Sequence, residues 1–223
     1  MNYRAVIFDL DGTLLDTLED LADSVNLVLR RNNLPEHELH QYKYFIGDGL
    51  TNLIRRALPV ELAADDATVT RYVATVSEEY NRRWNNKTRP YPGIPELLRN
   101  LKNKGVRTAV FTNKPDSAAQ KVIQYFFPDF RFEIVQGATP FQPIKPDPSG
   151  ALAIAKKMNL LPNQFLYLGD TGTDMKTANA AGMYPVGVLW GFRTAEELIQ
   201  NGAKILLEKP EQLLKFLGGF ESG

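Results

Sequence analysis

The sequence of 223 residues predicts an α/β protein with a Rossmann-like three-layer core built on a parallel β-sheet and an α-helical subdomain inserted into that core. Two observations lead to this prediction. Short apolar, partly β-branched runs recur along the chain and alternate with helical stretches, which is typical of a parallel sheet with helical crossovers. Residues 17–87 lack such runs and show apolar residues at helical spacing instead. The helical stretch therefore interrupts the α/β pattern after its first strand.

Each predicted strand is a continuous apolar run, as expected for a strand that is buried on both faces of a parallel sheet. The runs are Ala5 to Phe8, Thr108 to Phe111, Phe132 to Val135, Phe165 to Leu168 and Pro185 to Leu189. The first run stops at Asp9 and predicts a central strand.

Capping signals mark the boundaries of three helices in the α/β part. The first helix covers Ile94 to Lys104 and is followed by Gly105. The second has Asp147 as its cap and Pro148 in its first position. The third begins with a capping box of Thr194 and Glu197 and ends at Gly202. These local signals agree with the alternation of strands and helices.

The inserted segment predicts three or four helices, because its apolar residues form stripes three and four residues apart. The stripes are Leu18, Leu21, Val25, Val28 and Leu29; Leu50, Leu53, Ile54, Ala57 and Leu58; and Val69, Val73, Val76 and Tyr80. The predicted domains are an α/β core of residues 1–16 plus 88–223 and a helical subdomain of residues 17–87.

The composition excludes several classes of function. Lys and Arg number 26, as do Asp and Glu, so the formal net charge is zero and no global positive field attracts nucleic acid or an acidic membrane. The absence of cysteine excludes disulfides, thiolate metal sites and a cysteine nucleophile. The two histidines, His37 and His40, lie in one polar stretch and offer little for a serine–histidine triad. The first apolar run is too short for a signal peptide or a membrane helix, so we expect a cytoplasmic protein.

Charged and polar residues follow the predicted strands, where parallel sheets bind their ligands. They are Asp9 and Asp11 after the first strand, Thr112, Asn113 and Lys114 after the second, Asp170 and Asp174 after the fourth, and Lys145 before a helix. Four carboxylates at one edge repel one another unless a divalent cation lies between them, and oxygen ligands favour Mg²⁺. Such an ion also binds a phosphate oxygen, while Lys145 and Thr112 complement a phosphate dianion. The residues therefore point to a small phosphorylated ligand.

These residues form four motifs that resemble those of the haloacid dehalogenase superfamily, in the same order along the chain. The motifs are Asp9-Leu10-Asp11-Gly12-Thr13-Leu14, Thr112-Asn113, Lys145-Pro146-Asp147-Pro148, and Gly169-Asp170 with Asp174. The resemblance covers nearly the whole chain, and the helical insertion is similar to the type-one cap of that superfamily. Two further runs, Thr112-Asn113-Lys114-Pro115 and Phe45-Ile46-Gly47-Asp48-Gly49-Leu50, most resemble its phosphoglycolate phosphatase branch.

The resemblance implies a Mg²⁺-dependent phosphatase that forms an aspartyl phosphate. It makes Asp9 the nucleophile and Asp11 the general acid and base. Side-chain oxygens of Asp9 and Asp170 and the backbone carbonyl of Asp11 would bind Mg²⁺. Asp174 would orient a metal-bound water or Lys145, and Lys145 would stabilise charge during transfer.

The resemblance also implies how a substrate binds. Thr112, the N–H of Asn113 and Lys145 would hold phosphoryl oxygens, and the cap would contribute contacts near Gly47. Among single substrates, the resemblance favours phosphoglycolate most. We expect a monomer or a homodimer that binds neither nucleic acid nor membranes.

Several alternatives remain open. A hexose phosphomutase or an inorganic pyrophosphatase would use the same nucleophile, and a non-enzymatic phosphoacceptor signalling domain would be phosphorylated without turnover. A dehalogenase is disfavoured, because that branch needs neither the metal nor an aspartate at the position of Asp11. Each polar residue also has a structural interpretation, such as Asp170 as a helix cap and Lys145 as a solvated charge.

Overall fold

The structure, a computed structural model, describes residues 3–217. The chain divides into two compact units. The first, Met1–Leu15 with Pro90–Gly223, is called the core unit below, and the second, Asp16–Arg89, is called the helical unit. That the helical unit acts as a cap stays a prediction.

The strands follow the predicted α/β order. They are β1 (Ala5–Phe8), β2 (Leu15–Asp16), β3 (Arg89–Pro90), β4 (Arg107–Pro115), β5 (Ile134–Ala138), β6 (Phe165–Gly169), β7 (Tyr184–Val188) and β8 (Ile205–Leu207). Six of them form one parallel sheet in the order β5-β4-β1-β6-β7-β8, while β2 and β3 form a separate two-stranded sheet. The predicted parallel α/β core with the first strand at its centre is confirmed.

Five helices make up the helical unit: α1 (Leu18–Arg31), α2 (Leu39–Phe45), α3 (Leu50–Ala57), α4 (Val60–Ala63) and α5 (Asp66–Arg83). The sequence predicted three or four. The pattern missed α2, in which Tyr42 is the one buried residue, and α4, a single turn with no buried residue, because neither carries an apolar stripe.

A buried carboxylate joins the beginning and the end of the helical unit. Asp20, on α1, accepts hydrogen bonds from the backbone N–H of Lys87 at 3.0 Å, from that of Thr88 at 2.8 Å and from the Thr88 hydroxyl at 2.8 Å. Asp20 is thus a buried acid whose charge is met by three donors.

The helices of the core unit are α6 (Ile94–Asn103), α7 (Asp116–Phe126), α8 (Ser149–Lys157), α9 (Gly172–Ala180) and α10 (Ala195–Gln200). Short 3₁₀ turns cover Pro162–Gln164 and Pro210–Phe216. Side chains of α8 and α9 pack on alternate residues of β1, β4 and β6 in one buried cluster. In the described part of the chain, no helix combines the length and the hydrophobicity that a membrane span requires.

Two predicted helix caps differ from the structure. The helix after Asp147 begins one residue later than predicted, with Pro148 as its cap, because the Asp147 carboxylate accepts a hydrogen bond from the backbone N–H of Ser149 and holds a turn there. At α10, Thr194 is the cap, but the predicted capping box is not closed. The carboxylate of Glu197 accepts instead from the backbone N–H of Gly172 at 3.2 Å.

Strand boundaries also differ from the sequence pattern. Phe132 was predicted to begin a strand, but β5 begins at Ile134, and Phe132 packs edge-on against neighbouring phenylalanine rings. β4 runs four residues beyond its predicted end at Phe111, with a register shift after that residue. β8 was not predicted, because its three residues lie at the sheet edge and only Leu207 is buried.

Candidate functional site

Neighbouring strands bring the candidate residues to one edge of the sheet. Asp9 directly follows β1, and Asp170 directly follows β6 on one side of it. On the other side, β4 carries Thr112 close to its end. The last residue of β1, Phe8, is aligned with both neighbouring strands, so the residues beyond it meet at the same edge.

A buried lysine joins two of the carboxylates. The Lys145 ammonium donates to Asp9 Oδ1 at 2.8 Å and to Asp174 Oδ1 at 2.6 Å, and all three side chains are at least nine-tenths buried. The other oxygen of Asp174 accepts from the Thr171 hydroxyl at 2.6 Å, which fixes the carboxylate at the start of α9. The predicted residues Asp9, Lys145 and Asp174 therefore lie in direct contact.

A third carboxylate, that of Asp170, is fully buried and held at both of its oxygens. Asp170 Oδ1 accepts from the Thr13 hydroxyl at 3.2 Å, and Asp170 Oδ2 accepts from the backbone N–H of Phe192 at 2.8 Å. Each oxygen keeps further lone pairs, since a carboxylate has about four acceptor positions.

Burial of several charges in one place shifts their protonation. Burial raises the pKa of Asp9 to about 7, although Lys145 opposes the shift. Burial and the charges of Asp9 and Asp174 raise the pKa of Asp170 well above its usual range. Burial alone would lower the pKa of Lys145, but the carboxylates of Asp174 and Asp9 outweigh it and raise that pKa. In the absence of a further cation, the carboxyl groups of Asp9 and Asp170 therefore hold protons more readily than exposed aspartates do.

Three of these carboxylates form a group that fits a metal ion. One oxygen atom from each of Asp9, Asp170 and Asp174 lies within 4.8 Å of the others. The donors are all oxygen, as hard divalent cations prefer, and Lys145 contacts Asp9 and Asp174 but is not bonded to Asp170. The residues present thus fit a divalent cation.

Asp11 lies apart from this group. Its carboxylate pairs with the Lys114 ammonium, whose Nζ atom lies 3.1 Å from Oδ1 and 3.2 Å from Oδ2. The Lys114 side chain is almost fully buried, and that of Asp11 is partly exposed. The predicted general acid thus has a cationic neighbour, and the sequence did not predict this contact with Lys114.

Asn113 contacts the lysine segment through its side chain. Its Nδ2 donates to the Lys145 carbonyl at 3.1 Å, and its Oδ1 accepts from the Lys145 backbone N–H at 2.8 Å. Thr112 is buried, and its hydroxyl accepts from the backbone N–H of Lys114. Asn113 and Lys145 are therefore joined by two reciprocal hydrogen bonds.

Gly12 provides space that the acidic group requires. Its φ is 92°, a left-handed conformation that favours glycine. A Cβ atom at this position would overlap the Asp170 carboxylate. A larger residue would therefore displace a candidate metal ligand.

Gly47, the predicted substrate contact of the insertion, lies in the helical unit between α2 and α3 with a φ of 128°. The loop around it is held by Arg56, which donates to the Phe45 carbonyl at 3.0 Å and pairs with Asp48. Its role in substrate binding stays a prediction.

Sequence reasoning missed the segment after β7. Neither Trp190 nor Phe192 is among the predicted site residues. Yet the indole of Trp190 donates a hydrogen bond to the first motif, and the backbone N–H of Phe192 donates one to the fourth. The sequence signal that could have found them is their position, because both residues follow the carboxyl end of β7, a strand of the parallel sheet.

Comparisons with known proteins agree with this geometry. A family model described as haloacid dehalogenase-like hydrolase matches residues 6–188. A phosphoglycolate phosphatase from Haemophilus influenzae (strain 86-028NP) is 34% identical over 220 residues, which cover 96% of this chain and 98% of that protein. A solved structure from Lactobacillus delbrueckii subsp. bulgaricus has a TM-score of 0.89 at 29% identity, and the match covers 97% of this chain and 99% of that one. The solved structure of a predicted phosphoglycolate phosphatase from Haemophilus somnus 129pt has a TM-score of 0.87 at 29% identity, and the match covers 97% of this chain and 98% of that one.

Proposed function

The chain belongs to the haloacid dehalogenase-like hydrolase family, as the motifs indicated, and from this premise we propose that it hydrolyses a small phosphomonoester with the help of Mg²⁺. Phosphoglycolate is the substrate that we propose first, because similar curated proteins are named for that activity. The observation that carries the proposal is the buried contact of Lys145 with Asp9 and Asp174 beside Asp170.

Mg²⁺ would be held by side-chain oxygens of Asp9 and Asp170 and by the backbone carbonyl of Asp11. When bound, it neutralises these carboxylates and attracts a phosphate oxygen, so that two negatively charged groups can approach each other. Asp174 contacts Lys145 directly, which favours its predicted role of orienting this lysine.

The first chemical step forms an acyl phosphate. An oxygen of Asp9 bonds to phosphorus while the bond between phosphorus and the substrate alkoxide breaks. Asp11 gives its proton to that alkoxide, which leaves as an alcohol. Lys145 keeps its proton and stabilises the charge on Asp9 and the transferring group, with Thr112 and the N–H of Asn113 on phosphoryl oxygens.

The second step releases phosphate. The Asp11 carboxylate removes a proton from water, the water oxygen bonds to phosphorus, and the bond from phosphorus to Asp9 breaks. Both side chains then return to their starting states. The ammonium group of Lys114 contacts Asp11 and would hold its side chain in position in both steps.

The experiment measures inorganic phosphate released from phosphoglycolate, hexose phosphates and pyrophosphate by the purified protein, with Mg²⁺ or with a chelator. We expect turnover of phosphoglycolate that requires Mg²⁺ and is lost in Asp9→Asn. Asp129→Asn, which changes an exposed aspartate of the same unit, is the matched control and stays active.

Other outcomes would favour the alternatives. Transfer of phosphate to a second sugar hydroxyl, without incorporation of oxygen from labelled water, indicates a mutase. Stable phosphorylation without turnover indicates a phosphoacceptor domain. Phosphate release that persists in Asp9→Asn contradicts the mechanism. The cytoplasmic location and the monomeric or homodimeric state stay predictions of the sequence.

A further inference from the structure

A short segment after β7 contacts the acidic site from the side of the fourth motif. This segment, Trp190–Arg193, is called the WGFR segment below. The indole Nε1 of Trp190 donates to the carbonyl of Thr13 at 3.0 Å, and the backbone N–H of Phe192 donates to Asp170 Oδ2 at 2.8 Å. The WGFR segment is therefore bonded to two motifs that lie on neighbouring central strands.

The two contacts act on the same carboxylate. Thr13 accepts from Trp190 through its carbonyl and donates to Asp170 Oδ1 through its hydroxyl. Phe192 holds the other oxygen of Asp170. With one fixed donor on each oxygen, the plane of the Asp170 carboxylate cannot rotate, and its remaining lone pairs keep one direction.

Close packing adds to this constraint. Between Trp190 and Phe192, a Cβ atom on Gly191 would overlap the side chain of Asp170 and the carbonyl of Gly12. Thus the backbone of the WGFR segment lies directly against the carboxylate, with no room for a side chain in between.

The end of the segment is anchored to α9 and α10. Arg193 Nε lies 3.3 Å from Glu197 Oε1, and the same oxygen accepts from the backbone N–H of Gly172 at 3.2 Å. The Arg193 side chain is nine-tenths buried, so its position is fixed by packing. The segment is thus held at both ends, at Thr13 and at Glu197.

We infer that the WGFR segment is a positioning element for the divalent cation: Trp190 and the Phe192 backbone orient Asp170 so that its free lone pairs meet the ion. This inference rests on the metal site of the proposed function. Groups that orient metal ligands in this way typically change metal affinity or activity by about 10- to 100-fold when they are removed.

Isothermal titration of the metal-free protein with Mg²⁺ tests the inference. Trp190→Phe removes the N–H donor and keeps an aromatic ring, and we expect Mg²⁺ to bind about tenfold more weakly. Trp84→Phe, the same change in the helical unit, is the matched control and leaves the affinity unchanged. In turnover assays, the Mg²⁺ concentration for half-maximal rate rises in Trp190→Phe, while kcat at saturating Mg²⁺ is retained.

Gly191→Ala is an independent variant that displaces Asp170 sterically, and we expect a larger loss of Mg²⁺ affinity from it. Thermal melting without metal shows that each variant is folded. Unchanged affinity in both folded variants overturns this inference alone. A wild-type chain that binds no Mg²⁺ overturns the proposed function with it. Loss of fold in both variants overturns the inference in favour of a purely structural segment.

Discussion

Replacing Lys145 by methionine removes the ammonium group that contacts both Asp9 and Asp174. Methionine has nearly the same length and is apolar, so the packing volume is kept while the charge is lost. Two buried carboxyl groups then face each other without the cation between them. We expect this variant to be markedly less stable at neutral pH when no Mg²⁺ is present.

The magnitude follows from the protons that the site must take up. The pKa of Asp9 is already raised to about 7, so Asp9 holds a proton about half of the time at neutrality. Without the Lys145 ammonium, both carboxyl groups of the buried pair, Asp9 and Asp174, must be protonated, so the folded variant takes up a second proton. Each pH unit above an unfolded pKa of about 3.9 adds about 1.4 kcal/mol to the free energy of that protonation, which gives about 4 kcal/mol at about pH 7. This value lies within the range of about 3–5 kcal/mol that is typical of removing one partner of a buried ion pair.

The pH dependence has a definite sign. In the variant, the folded chain binds more protons than the unfolded chain between about pH 4 and about pH 7, so its stability rises as the pH falls. The loss relative to the wild type should therefore shrink to about 1.5 kcal/mol at about pH 5.

Urea unfolding in the presence of a chelator measures this loss at both pH values. Lys156→Met is the matched control, because Lys156 is exposed on α8, and we expect it to change stability by less than about 0.5 kcal/mol. A loss below about 1 kcal/mol for Lys145→Met at neutral pH, or one that grows on acidification, would refute the reasoning.

Three further changes have defined outcomes. Gly12→Ala should lower the free energy of unfolding by about 1–3 kcal/mol more than Gly105→Ala, as measured by chemical denaturation. Both glycines have a positive φ, but an added Cβ meets the Asp170 carboxylate at Gly12 and open space at Gly105. Equal losses would show that the overlap with Asp170 is unimportant. Lys114→Met removes the group that holds Asp11, so it should lower kcat by about tenfold or more on alkyl phosphates. The loss should be smaller on aryl phosphates, whose leaving groups need little protonation by Asp11. Equal losses on both kinds of substrate would contradict this role of Lys114. Asp20→Asn should reduce the free energy of unfolding by about 1–3 kcal/mol, because an amide N–H₂ would face the backbone N–H donors of Lys87 and Thr88. Thermal or urea unfolding measures the loss. An unchanged unfolding transition would contradict the stabilising role of Asp20.

The fold was predictable where burial leaves a clear mark on the sequence. β1 is fully buried, so all four of its residues are apolar, whereas β8 has one buried residue and no comparable run. In the helical unit, α4 has no buried residue at all, and the pattern of apolar spacing cannot report a helix that has no buried face.

The site was predictable as far as residues follow strand ends. The contacts between them were not, because they join residues that are distant in sequence. Lys114 and Asp11 are 103 residues apart, and Trp190 and Thr13 are 177 apart. Such pairs depend on strand order and register, which no local pattern of residues determines.

The central place of β1 in the sheet has a consequence for synthesis on the ribosome. β1 emerges first, but its two partners begin only at Arg107 and Phe165. The contiguous helical unit is complete before either partner exists, and domains generally fold as units during translation. Until Arg107 and the residues after it have been made, the nascent chain therefore carries an unpaired apolar strand as well as a complete helical unit. Unpaired apolar strands are prone to aggregate, so chaperones would protect β1 during that interval.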